Sequence, residues 1–424
     1  MHYYSTASDG LNIGAAMGKP WDDWIPGVLN REQMEELCRE GLIIGEESLV
    51  RSISKSAIDL SLSEEAYEMT QGSVKPSGSG PYGWFIKQAK LAEQVHPSGD
   101  GTFPLGAMKT YVFKLNERLN TEGLKQVGIH GQATAKSSIG RIDVLARLIV
   151  DGMNTYESFD PHHLANQTGD MYLEITPITF DVRVKPGISL SQLRLFYGEP
   201  EEAQISGPHL FKTVMKGSGA PDGSLTVDLS NVEKGELPVA AYCAIAKTGD
   251  SIPLWEEPKA EKPKPWKYWR FAATDDTKRL KIKETQFYIL RSKEKVSVPE
   301  GVAIYCRASD ETLGEMRIHY AGFVHPIFGK YKAKGTQGTP LMFEVRGHQV
   351  NVSLVDGEKL ANLKFYRMSK DYVLTEKEKK EIGQQDKAKE EISYNDQDLQ
   401  LSNIFGEWPA KLRRIDNDGT VEPA

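Results

Sequence analysis

Apolar positions recur at two different spacings along the chain, and those spacings assign its elements. Within residues 28–40, Leu29, Met34, Leu37 and Cys38 follow helical intervals, with Asn30 placed to cap the start and Gly41 to stop the end. One amphipathic helix is predicted there. Further on, the helical period gives way to short alternating or β-branched runs at 57–62, 111–115, 171–175 and 180–184, separated by Gly, Pro, Ser and Asn. Many short strands with close turn signals predict a mainly β barrel or sandwich rather than βαβ units.

Two stretches read as breaks. Residues 73–83 (SVKPSGSGPYG) form a Pro/Gly/Ser loop, and 256–265 (EEPKAEKPKP) reads as a semi-rigid charged spacer between domains. The expected organisation is an extension at 1–27, a first domain at 28–255, a linker at 256–270, a second domain at 271–372, and a charged helix with a tail at 373–424. Mixed charge over 375–392 predicts a solvated helix. The tail beyond it holds Leu399, Leu401, Ile404, Phe405 and Trp408, so it is expected to dock on the body.

The chain repeats itself. An apolar strand at 111–113, Glu117, Gly140-Arg141, Glu174 and a closing strand at 186–195 occur in one order. A strand at 287–290, Glu294, Gly314, Glu344 and a closing strand at 356–365 follow in the same order. A period this long means two copies of a domain rather than a solenoid.

Composition narrows the function. The 424 residues carry 52 Lys+Arg against 59 Asp+Glu, a formal net charge of -7, which disfavours a protein that coats nucleic acid. No apolar run is long enough for a membrane helix, and the polar, glycine-bearing N-terminus gives no reason to expect a secretion signal. Cys38, Cys243 and Cys306 are isolated, so neither a disulfide scaffold nor a four-ligand zinc site is expected, and a cytoplasmic setting follows.

The densest polar motif is Ala135-Lys136-Ser137-Ser138-Ile139-Gly140-Arg141. Two hydroxyls, a lysine and an arginine suit phosphate oxygens. An alternative is a plain cap before a helix at 142–150. His319, His325 and His348 lack the spacing of a metal trio. Arg346 and His348 follow Glu344 at strand period, so they share its face in an orienting or structural role. Trp266, Tyr268, Trp269 and Phe271 read as the apolar edge of a domain, with base stacking as the other reading. Glu32, Glu35 and Glu36 read as a solvated helix face.

Lys136 to Arg141, the early helix, Ser56-Ala57-Ile58-Asp59-Leu60-Ser61-Leu62 and Leu173-Glu174 together resemble the dCTP deaminase/dUTPase superfamily, most closely its long bacterial deaminases with two domains in one chain. The resemblance implies two tandem dUTPase-like β-barrels (distorted jelly rolls), an N-terminal helix, a C-terminal helical arm and a homo-oligomer. It implies a hydrolase acting on a deoxynucleoside triphosphate that carries Mg²⁺, without zinc and without nucleic-acid or membrane partners. Lys136, Ser137, Ser138 and Arg141 would hold the phosphates. The hairpin with Ala321, Gly322, Phe323, His325 and Phe328 would hold base and sugar, with His325 where the family has Asp. Glu344 would be the catalytic carboxylate, with Glu174 its alternative, in a site composed from both copies. Asp160 in the first copy's hairpin keeps a dUTPase or bifunctional reading open, and the motifs lost from each copy keep a nucleotide sensor open.

Overall fold

The structure, a computed structural model, describes residues 18–46, 48–77, 80–164, 167–216, 222–246, 248–309, 316–319, 322–331, 338–384 and 398–424. The expected helix forms at Arg31–Arg39. Asn30 Oδ1 accepts from Gln33 N–H at 3.0 Å while Gln33 Oε1 accepts from Asn30 N–H at 3.1 Å, so two otherwise orphaned amides are satisfied reciprocally. Met34 and Leu37 face the core. Val28 belongs instead to a short strand, Gly27–Val28, paired with Tyr197 and Phe196.

Alternation becomes strands as expected. Ile58, Leu60 and Leu62 of Ile58–Met69 are buried, while Asp59 and Ser61 between them are only half-buried. The first body orders its strands Val144–Val150, Asp170–Pro177, Tyr111–Leu119, Ile58–Met69, Ser189–Tyr197, Ile129–Ala135, Ser158–Phe159. In the second body, Met316–His319, Thr339–Gly347, Phe287–Val296, Ser224–Asp228, Lys359–Arg367, Val302–Ala308 and Gly322–Val324 pair in the same succession. Local detail repeats too. Glu117 accepts from the N–H and hydroxyl of Ser61, and Glu294 from those of Thr226. Gly169 (φ +76°) and Gly329 (φ +65°) each press on the carbonyl ending a neighbouring strand, where a Cβ would collide with Leu119 O or Val296 O. The chain is mainly β and duplicated.

The second copy starts earlier than its sequence announced. Gln204–Ile205 pairs with Tyr366 and Phe365, as Gly27–Val28 pairs with Phe196 and Tyr197. Ser224–Asp228 and Ala241–Ala244 both lie in the second sheet. The expected boundary at 255 therefore moves to about 199–204. The expected linker at 256–270 does not separate the bodies. Trp269–Ala272 is an edge strand on Ala241–Ala244, and Ile252–Pro253 reaches back to pair with Val182 and Arg183 of the first body. The proline-rich stretch lies against the tail, where Gly406 N–H donates to Pro263 O at 3.0 Å. Tyr268, Trp269 and Phe271 are core residues and Trp266 packs partly buried against the same core, so the cluster is the apolar edge of a domain.

The tail docks as expected, burying Leu399, Leu401, Ile404 and Phe405. Its last residues add a hairpin, Leu412–Arg414 with Val421–Pro423. The charged helix runs over Glu376–Gln384, and residues 385–392 lie outside the described residues.

The two bodies meet around an approximate twofold axis. Phe196 and Tyr366 hold equivalent positions in the two closing strands, and their rings touch edge-on with centroids 5.3 Å apart. Arg346 of the second body donates to buried Asp143 of the first and to Thr179 Oγ1. The N-terminal segment clasps the end of the second barrel: Arg367 Nε donates to Pro26 O at 2.6 Å, Ser369 N to Val28 O at 2.7 Å, and Gln33 Nε2 to Ser369 Oγ at 2.9 Å.

Candidate active site

A cavity of about 610 Å³ opens on the seam between the bodies. The first body supplies the motif at its wall. Strand Ile129–Ala135 ends there, Lys136 N–H donates to Leu190 O at 2.9 Å, and a single helical turn at Ser137–Gly140 carries the chain round to Arg141. Residues 142–150 do not continue that turn as a helix. Val144–Val150 is a strand paired with Asp170–Pro177, because its buried side chains need the core on a two-residue period. The cap-and-helix alternative is thus excluded. Lys136 Nζ donates to Asp59 Oδ2 at 2.5 Å, so the Ser56–Leu62 segment is tied to the motif.

The second body supplies the facing wall. Gly322–Val324 pairs with Cys306, Tyr305 and Ile304, and Thr339–Gly347 presents Glu344. Lys136, Ser137, Ser138, Arg141, Gly322, Phe323, His325, Phe328 and Glu344 all line this one cavity, as expected for a composite site. Ala321 lies outside the described residues. Both halves of the site come from a single chain.

Glu344 is buried, with Arg141 Nε 3.9 Å from its Oε1. Burial pushes its carboxyl up to about 8 against the pull of the Arg141 guanidinium. The Cys306 thiol is pushed up to about 12 by burial and by the nearby Glu344 charge. His325 is held neutral, pushed down to about 3 by burial and by Arg194, Lys55 and Lys136. Its Nδ1 lies 2.8 Å from Ser56 Oγ and its Nε2 3.3 Å from Gln192 Oε1. Gln192 Oε1 can only accept, so Nε2 carries the proton and Nδ1 accepts from the serine. Behind the hairpin, fully buried Arg194 donates to Ile304 O at 2.9 Å and lies 3.9 Å over the Phe323 ring. Burial lowers it to about 9, which leaves it charged at neutral pH.

Glu174 occupies the position equivalent to Glu344 but does not line this cavity. Ser73 Oγ (2.7 Å), Tyr156 OH (3.1 Å) and Arg147 donate to its carboxylate, which is 1% exposed. His319 pairs in register with Glu344, where the first copy has Arg147 opposite Glu174. Arg346 serves the seam rather than the cavity, and His348 lies past the end of its strand. Among the described residues, no group of three or more His, Cys, Asp or Glu side chains is arranged to hold a metal ion.

Several lining residues were not singled out in the sequence. Gln192 sat inside a repeated strand and Cys306 was treated as an isolated thiol; neither had a local motif. The tail also reaches the site. Ser402 Oγ donates to Ser138 O at 2.8 Å, and Asn403 and Ile404 line the cavity.

A duplicated barrel with a carboxylate-bearing cavity at its seam defines a two-domain nucleotide-handling enzyme fold. The chain belongs to the 2'-deoxycytidine 5'-triphosphate deaminase (DCD) family: the model of its N-terminal domain matches residues 25–199 and that of its C-terminal domain residues 209–405. Among solved structures it is similar to the 2'-deoxycytidine 5'-triphosphate deaminase from Agrobacterium tumefaciens, with 26% identity and a TM-score of 0.70 over 82% of this chain and 99% of that one. No curated protein matches it significantly. No described helix is long and apolar enough to cross a membrane.

Proposed function

We propose that the seam cavity hydrolyses dCTP to dUTP and ammonia, with Glu344 as the proton carrier. The observation that supports this most is the meeting of the Ser137, Ser138 and Arg141 donors with Glu344 in one cavity of nucleotide size. The triphosphate, arriving with Mg²⁺ on its oxygens, engages Lys136, the two serines and Arg141. The cytosine lies against the Gly322–Val324 hairpin. Ionised Glu344 takes a proton from water as the oxygen attacks C4, then returns it to the 4-amino nitrogen as the C4–N4 bond breaks, while the proton left on the new hydroxyl passes to N3 and the C4 carbonyl forms. Water is consumed, ammonia leaves, and the carboxylate is regenerated. A carboxyl pushed up to about 8 suits both halves of that transfer.

In this reading no zinc takes part, Glu174 is a structural remnant, and the protein works as a cytoplasmic homo-oligomer. Asp160, the residue that kept the dUTPase alternative open, faces a different cavity and accepts from His162 N–H and His163. Incubation with dCTP and Mg²⁺, following ammonia and pyrophosphate separately, tests the proposal. Ammonia without pyrophosphate supports it, pyrophosphate release points to the diphosphatase, and neither product leaves a sensor.

A further inference from the structure

The seam between the two bodies holds a second cavity. A cavity of about 480 Å³ lies where the first body's hairpin faces the second body's Val302–Ala308 strand. Asp160-Pro161 of that hairpin corresponds to His325-Pro326 beside the substrate cavity. We propose that this second cavity binds a nucleotide that is not turned over.

Three features carry the assignment. First, His130 is only 6% exposed, lines the cavity, and has no hydrogen bond at either ring nitrogen. Its Nε2 lies 3.3 Å from Glu199 Oε2 and 3.8 Å from Asp160 Oδ1. Gln132 Oε1, also buried without a hydrogen bond, lines the same space. Buried polar groups left in this state are costly unless a ligand or water satisfies them.

Second, the cavity is divided by charge. Arg307 and Lys364 come from the second body, while Asp160 and Glu199 come from the first. A nucleoside phosphate matches that division: its phosphates meet the cations, and its sugar hydroxyls or base N–H groups meet the carboxylates, His130 and Gln132. An inorganic anion would leave the acidic wall unanswered.

Third, the groups assigned to the chemistry are missing. Glu174 does not line the cavity and is already engaged by Arg147, Ser73 and Tyr156. The first copy's Ser137-Ser138 pair has no counterpart in the second copy's sequence, which reads Ser309-Asp310-Glu311-Thr312-Leu313-Gly314. Arg307 lines both cavities, so a ligand here shares a side chain with the substrate site.

Equilibrium dialysis of the full-length protein with labelled dTTP, which has no 4-amino group to lose, tests the site. The expected result is that Lys364→Glu binds one dTTP per chain fewer than wild type, while its dCTP turnover without dTTP stays within about twofold. Asn154→Trp, which fills the cavity from its exposed rim, is expected to remove the same molecule and serves if the first variant does not fold. Equal dTTP stoichiometry in the wild-type and folded variant proteins overturns the proposal. So does inorganic tripolyphosphate displacing that molecule at equal concentration, because the site would then read the anion alone. The readout is binding, so it stands apart from whether the substrate cavity deaminates dCTP.

Discussion

Arg141 and Glu344 come from opposite copies of a duplicated fold, yet Arg141 Nε stands 3.9 Å from Glu344 Oε1 with both side chains buried. One guanidinium is thereby positioned to attract an anionic ligand and to moderate the acidity of the carboxylate beside it. Replacing either group should produce distinct kinetic signatures.

Glu344→Gln should lower kcat for dCTP deamination by about 10²–10⁴-fold, the usual span for losing a proton carrier. Glu174→Gln should keep kcat within about tenfold but cost about 3 kcal/mol of stability, because it leaves the Arg147 charge without its carboxylate. Steady-state kinetics alongside denaturant unfolding separates the two. Loss of turnover confined to Glu174→Gln would contradict the assignment.

The free enzyme's kcat/KM should rise with pH through an inflection near 8, since Glu344 must ionise to act as base. Arg141→Gln removes the cation that favours ionisation, so the inflection should move higher while KM for dCTP increases. Stability has the opposite slope. A carboxyl raised from its ordinary value near 4.5 to about 8 contributes stability that is full below the lower value and is lost as pH rises through the upper one. Glu344→Gln should therefore gain on wild type in melting temperature as pH climbs towards about 9.

His325 should set part of the acid limb. Its pKa is depressed from near 6.5 to about 3, so the stability it contributes is present above the first value and lost as pH falls through the second. His325→Gln has nothing to protonate in that window. Thermal melts across the range should show a flatter acid decline for this variant.

The tail should matter for both folding and substrate. Phe405 packs on Tyr268 and Trp269, so Phe405→Ala should cost about 3–5 kcal/mol. Ser402→Ala loses the bond to Ser138 O and a long one from Ile404 N–H, and should raise KM for dCTP several-fold with little change in melting temperature. Calorimetry and initial-rate kinetics on the pair would show whether fold and substrate binding separate in this way.

What could be read along the sequence was whatever had a local period or a dense motif. The capped helix, the strands around 58, 111 and 171, and the repeat from Glu117 to Glu294 all met that condition. So did the two half-sites. The start of the second copy did not, because Gln204–Ile205 is too short to show alternation and Ser224–Asp228 pairs only with distant strands. The charged proline run at 256–265 looked like a spacer because its contacts are with the tail, far along the chain. Strand Val144–Val150 was open to a helical reading because nearly continuous apolar residues have no visible period. Gln192 and Arg194 gain their roles from the opposite body, which no stretch of neighbouring residues encodes.

The clasp at the chain's beginning gives this arrangement a mechanical consequence. Pro26, Val28 and Gln33 hold Arg367 and Ser369, so besides the peptide junction near 199–204 and the seam contacts the barrels are fastened between the start of the first and the end of the second. That fastening in effect closes the two barrels into a ring. Neither barrel can swing away while it holds, so the alignment of donors and carboxylate is maintained from both sides. Cutting the peptide junction would leave two fragments with a ready-made surface for finding each other again.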